Sequence, residues 1–152
     1  MTSEAERLAL ARVQLETRAV VLPPQPGAYG HPSLDALYAC LGGTSGPALS
    51  LRLLRPEDAA DPTAGIADKP GWQKTRAIAD DHGGNLAALF LEGELDGMVG
   101  IYDHDDERAR PAFASIATFV EALAESPEVP LMQGFPPSTP GFVRINSSIC
   151  RS

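Results

Sequence analysis

Asp103-His104-Asp105-Asp106 is the run in this 152-residue chain whose side chains come closest to a metal-binding set. Carboxylates with an imidazole hold divalent ions when enough of them converge. Consecutive residues at a strand end point to opposite faces, so only alternate members of the run can meet. The other two histidines, His31 and His82, stand alone, and no second His or Cys cluster completes a ligand set. No metal and no other cofactor is therefore expected. Nucleophilic chemistry has less to stand on. There is no Gly-x-Ser-x-Gly elbow, Cys150 has only Arg151 beside it near a terminus, and Cys40 lies in an apolar helical run as a small core residue. Trp72 reads as a core or lid side chain rather than a ligand platform. The chain is expected not to be an enzyme, with a metal-dependent hydrolase built on Asp103 and His104 kept only as a contrast.

What this region has in quantity is charge of one sign. Between positions 80 and 107 nine residues are acidic and none is Lys or Arg. They are Asp80 and Asp81, then Glu92, Glu94 and Asp96, then Asp103, Asp105, Asp106 and Glu107, with His104 among them. A one-sign field draws in basic partners and speeds their encounter. The plainer alternative is that these carboxylates only keep a turn and a strand edge soluble. The formal net charge of −8 argues against nucleic acid as a partner, because neutralising phosphates takes clustered Lys and Arg. These ten residues are the candidate protein-binding set.

The elements that must position them follow from pattern. Residues 86–91 are a short continuous apolar run, which reads as a strand buried on both faces. Residues 98–102 bring β-branched and aromatic side chains suited to a packed pleat. Gly93 and Gly97 between them can supply positive φ where the chain reverses, so the two runs are expected to form an antiparallel hairpin. Gly83-Gly84 serves equally as a plain turn or as a close backbone approach, and lacks what a phosphate loop requires. Downstream, Ile116, Phe119, Val120 and Leu123 fall at i, i+3, i+4 and i+7, an amphipathic helix with Ser115 as N-cap and Ser126-Pro127 as its stop. Ser3 and Glu6 make a capping-box pair ahead of Leu8, Ala11 and Leu15.

This order of elements resembles the SUKH superfamily, the Smi/Knr-type domain. The resemblance rests on Asp80, Gly83, Gly84 and Asn85, then Tyr102-Asp103-His104-Asp105, then Ser115, Phe119, Val120 and Leu123. More loosely, Leu22-Pro23-Pro24, the segment 34–43 and the segment 49–59 match its upstream features. The family's Leu-Gly-x-x-Leu-Pro element is degraded here to Ala19-Val20-Val21-Leu22-Pro23, and nothing after Ser126 has a counterpart. Such a resemblance implies a sheet wrapped by helices, and a binding protein. Many bacterial members are immunity proteins that neutralise a cognate toxin.

The expected fold class is α+β, with a mixed or mainly antiparallel sheet and helices packed on it, SUKH-like. Strands are expected at 49–54, 75–79, 85–91 and 97–102, and helices at 3–18, 34–41 and 115–125. Length favours one domain over 1–126. A proline-rich extension, 127–152, should run over the surface, with Val143 and Ile145 as a possible edge strand. The acidic start and the lack of a long apolar run give an expectation of a cytoplasmic chain without membrane contact. The function expected is a cytoplasmic protein-binding module, an immunity protein that occludes the basic surface of a cognate toxin. The alternative is a regulatory or scaffold domain of the same fold whose partner is another basic protein.

Overall fold

Ser3 opens the first helix, its hydroxyl accepting from the Glu6 N–H at 3.1 Å, and the buried Leu8, Ala11 and Leu15 give α1 (Glu4–Glu16) its inward stripe. The computed structural model describes residues 3–45, 51–59, 75–81, 86–103, 108–125 and 142–144, and for 103, 108–112 and 142–144 the backbone alone. After α1 come β1 (Val20–Val21), α2 (Pro32–Cys40), β2 (Thr44–Ser45), β3 (Arg52–Leu53) and the one-turn α3 (Pro56–Ala59). Then follow β4 (Thr75–Asp80), β5 (Leu86–Phe90), β6 (Val99–Asp103), β7 (Arg108–Phe113), α4 (Ile116–Glu125) and β8 (Phe142–Arg144).

The architecture is α+β. Strands β3 to β8 form a six-stranded antiparallel sheet in sequence order, and β1 pairs with β2 in a separate two-stranded ribbon. All five residues of β5 are buried, which is why its sequence is apolar without alternation: both faces of this central strand are shielded from water. The 86–91 and 98–102 hairpin expected from sequence forms, with Leu86 opposite Tyr102 and Leu89 opposite Val99. Gly93 and Gly97 sit at φ +83° and +84° in the connection, a region that only glycine enters without strain. Met98 belongs to that turn rather than to the strand, its N–H donating to the Leu95 carbonyl at 2.9 Å.

Helix α4 is nearly enclosed. Its expected face of Ile116, Phe119, Val120 and Leu123 is fully buried, and Ala117, Ala122 and Ala124 are buried too. The helix lies against β7, where the Phe113 and Phe119 rings meet at 5.5 Å, and carries α1 and α2 on its other sides. Ser115 caps it as expected: its hydroxyl accepts from the Thr118 N–H at 3.2 Å, while Thr118 Oγ1 accepts from the Ser115 N–H at 2.9 Å.

Three features depart from the expected elements. Strand β3 pairs only at Arg52 and Leu53, with 49 and 50 outside the described residues. The β1–β2 ribbon was not anticipated. Nor was β7, because Arg-Ala-Arg-Pro-Ala-Phe carries a proline that removes a ladder donor. The strand accommodates it at a bulge: Val99 faces Phe113 and Ile101 faces Arg110, so β7 spends three steps where β6 spends two, around Pro111 and Ala112. The edge strand allowed for near Val143 exists as β8, paired to β7.

Candidate functional site

The sheet register divides the acidic residues into two groups at opposite ends. Leu86 faces Asp80 on one side and Tyr102 on the other. Asp80, Asp81 and Asp103 therefore emerge together at one end of β4, β5 and β6. Glu92, Glu94 and Asp96 lie in the β5–β6 turn at the other end. The four steps between the five residues of β5 rise about 3.3 Å each, separating the groups by roughly 13 Å of strand. The ten candidate residues thus do not make one continuous surface. His104, Asp105, Asp106 and Glu107 lie outside the described residues; in sequence they continue directly from Asp103.

At the Asp80 end the charge is not of one sign in space. Arg52, the cross-strand neighbour of Asp80, donates to its carboxylate at 2.8 Å, with both side chains part-buried. Arg108 is the register partner of Asp103 on β7. The stretch 80–107 holds no Lys or Arg in sequence because Arg52 comes from a distant strand and Arg108 directly follows the stretch. Among the described residues, Asp80, Asp81 and Asp103 stand at this end with Arg52 and Arg108.

The turn at the other end is tied to the helical layer. His31 Nδ1 accepts from the Ser33 N–H at 3.1 Å, capping α2. That leaves the ring proton on Nε2, which meets Asp96 Oδ1 at 2.7 Å. Asp96 is thereby a structural anchor between α2 and the hairpin, while Glu92 and Glu94 are exposed. Nearby, Arg76 donates to the Tyr29 carbonyl at 3.0 Å, and the Asp35 carboxylate accepts from the Tyr29 N–H at 2.7 Å. His31, isolated in sequence, is thus engaged as a helix cap and turn clamp.

Cys40 is half-buried and packs on the core. Burial pushes its thiol up, with Arg12 pulling weakly the other way, so it holds its proton and is a poor nucleophile. Arg12 meanwhile donates to the Cys40 carbonyl at 2.6 Å, placing a cation at the C-terminal end of α2 where the helix dipole favours it. Among the described residues, no group of three or more His, Cys, Asp or Glu is gathered in a way that suits a metal ion.

A second surface escaped the sequence reading. Between α1 and α4 lies a groove of about 300 Å³ lined by Leu10, Ala11, Gln14, Glu121, Ala122 and Glu125. Arg7 and Glu121 bridge the two helices beside it, Nε donating to Oε2 at 3.0 Å. Leu10 and Val13 are 69% and 65% exposed. Their signal was present in the sequence: both fall off the Leu8, Ala11, Leu15 stripe and must project away from the core.

Among the described residues, no helix is long and apolar enough to cross a membrane. No family model, no curated protein and no solved structure matches this chain.

Proposed function

We propose that this chain is a protein-binding module whose acidic sheet end docks on a basic partner, and that it acts as an immunity protein by covering the functional surface of a cognate toxin. The observation that carries the reading is the convergence of Asp80, Asp81 and Asp103 on one end of three neighbouring strands, through the pairing of Leu86 with both Asp80 and Tyr102. In sequence, the acidic residues Asp105, Asp106 and Glu107 follow Asp103. A carboxylate-rich rim on a rigid sheet steers a basic partner by its field and sets the register of docking by its charge pattern. The resemblance to Smi/Knr-type domains supports the toxin partner specifically. The site works by occlusion, so no bond is made or broken there and no cofactor enters.

The test is capture of partners by the tagged chain from its native organism, followed by reconstitution with the captured protein. An immunity role gives a partner with a measurable toxic activity that falls to zero at a fixed stoichiometry of added chain, and an association rate that drops as salt rises. Recovery of housekeeping proteins alone, with no toxic activity among them, turns the reading to a regulatory or scaffold domain.

A further inference from the structure

We propose that the outer face of α1, with the groove it forms against α4, is a second docking surface, and that its occupant is an amphipathic segment of a partner protein carrying one apolar anchor flanked by Lys or Arg. The inference does not rest on the acidic sheet end. Three large hydrophobic side chains stand exposed among the described residues, and all belong to α1 and the strand just after it: Leu10 at 69%, Val13 at 65% and Val20 at 61%. Single exposed hydrophobics are ordinary, but two of the three, Leu10 and Val13, lie one turn apart on α1 beside the groove, which marks this helix as an interaction surface. The groove adjoining Leu10 is lined by the small Ala11 and Ala122 together with Gln14, Glu121 and Glu125, so it offers a narrow apolar strip bordered by polar and acidic side chains.

Charge decides the occupant. Arg7 is held by Glu121 and Arg12 by Glu16, so neither helix-α1 cation is available to a newcomer. Glu125 lines the groove and is exposed, and Glu6 is exposed on α1. A second copy of this chain would bring the same carboxylates to the same face, in a molecule whose net charge is −8. An apolar anchor with neighbouring cations is instead complementary, since long Lys and Arg side chains cover apolar surface while their charged heads reach a carboxylate.

The probe is a synthetic Leu/Lys amphipathic helix of about 18 residues, long enough to hold helix in water, titrated into the isotope-labelled full chain and followed by NMR. A peptide of the same composition in scrambled order and a Leu/Glu version serve as controls. Expected are shift changes concentrated at residues 10–14 and 121–125 for the Leu/Lys helix, little effect of either control, and a roughly tenfold weakening in the Leu10→Asp, Val13→Asp double variant. Both substituted positions are exposed, and the wild-type shift map alone already tests the location. Equal binding of the scrambled peptide, or shift changes confined to the Asp80 end, overturns the proposal. So does concentration-dependent self-association that the double variant abolishes, which would make a second copy the occupant.

Discussion

Tyr38 carries a hydroxyl that folding strips of water without supplying a hydrogen-bond partner among the described residues. Its ring is held edge-on to Tyr29 at 4.9 Å, so packing of the aromatic body fixes a polar tip that burial then disfavours. Burial is also what pushes its ionisation above the ordinary tyrosine range, with the positive charge of Arg76 opposing. A phenol that keeps its proton longer in the folded than in the unfolded chain contributes fully below the unfolded value of about 10 and loses that contribution as pH rises beyond it. Tyr38→Phe should accordingly be neutral or stabilising by up to about 1 kcal/mol at neutral pH. Its advantage over the parent should widen above pH about 10. Urea melts of both proteins at neutral and alkaline pH measure this directly. A loss above about 2 kcal/mol at neutral pH would mean that the hydroxyl is engaged after all. At Gly42 the constraint is steric: a Cβ there would stand 2.3 Å from the Pro23 carbonyl oxygen. That backbone cannot simply yield, because Leu22 and Gly42 are joined by a hydrogen bond of 3.0 Å. Gly42→Ala should cost about 1 to 3 kcal/mol, the usual penalty of overpacking, read as a lower midpoint with an unchanged denaturant slope.

At the scale of elements, legibility followed local redundancy. Helix α4 was readable because three independent signals agreed, a 3.6-residue apolar stripe, a serine cap and a proline stop. Strand β5 was readable from a continuous apolar run with glycines beyond it. Strand β7 was not, since its proline is tolerated only through a bulge against β6, and a bulge is a property of two strands rather than of one segment. The two-residue β1 and β2 likewise exist only through each other, joined from Val20 to Ser45 and from Val21 to Thr44. The two features of α4 give separable expectations. Phe119→Ala removes a fully buried ring packed on Phe113 and should cost about 3 to 5 kcal/mol. Ser115→Ala removes a cap whose partner is the Thr118 N–H and should cost about 1 kcal/mol. Equilibrium unfolding distinguishes them by size, and a Phe119 effect no larger than the Ser115 effect would contradict the enclosed position of this helix.

For the whole molecule, the decisive fact is that an antiparallel meander sends alternate connections to opposite ends. Three acidic clusters within 80–107, with no Lys or Arg between them, were legible at once. The expected hairpin also set its turn carboxylates apart from those at its open end, whereas the cation that joins Asp80 was hidden, because Arg52 arrives on another strand. Arg52 lies 28 positions from Asp80 yet is its ion-pair partner. Asp96, grouped in sequence with Glu92 and Glu94, is held by His31 from 65 positions away and is therefore less available to a partner than its exposure suggests. The docking reading can thus be tested one end at a time. Reversing Asp105 and Asp106 to Lys should slow association with the basic partner and flatten its dependence on salt, because exposed charges act through a field screened over about 10 Å at 0.1 M ionic strength. Reversing Glu92 and Glu94 changes the molecule's net charge by the same amount at the far end, and should leave close-range docking intact while lowering only the weak, long-range attraction. Glu92 and Glu94 are exposed, and charge reversals at surface positions usually change stability little, so the thermal midpoints of both variants should stay within the shift expected for about 0.5 kcal/mol. Association rates for the two variants and the parent, at low and at physiological salt, decide between local docking and mere net charge. Equal slowing by both reversals would assign the effect to overall charge. Slowing by the Glu92/Glu94 reversal alone would move the interface to the turn, beside the His31 clamp.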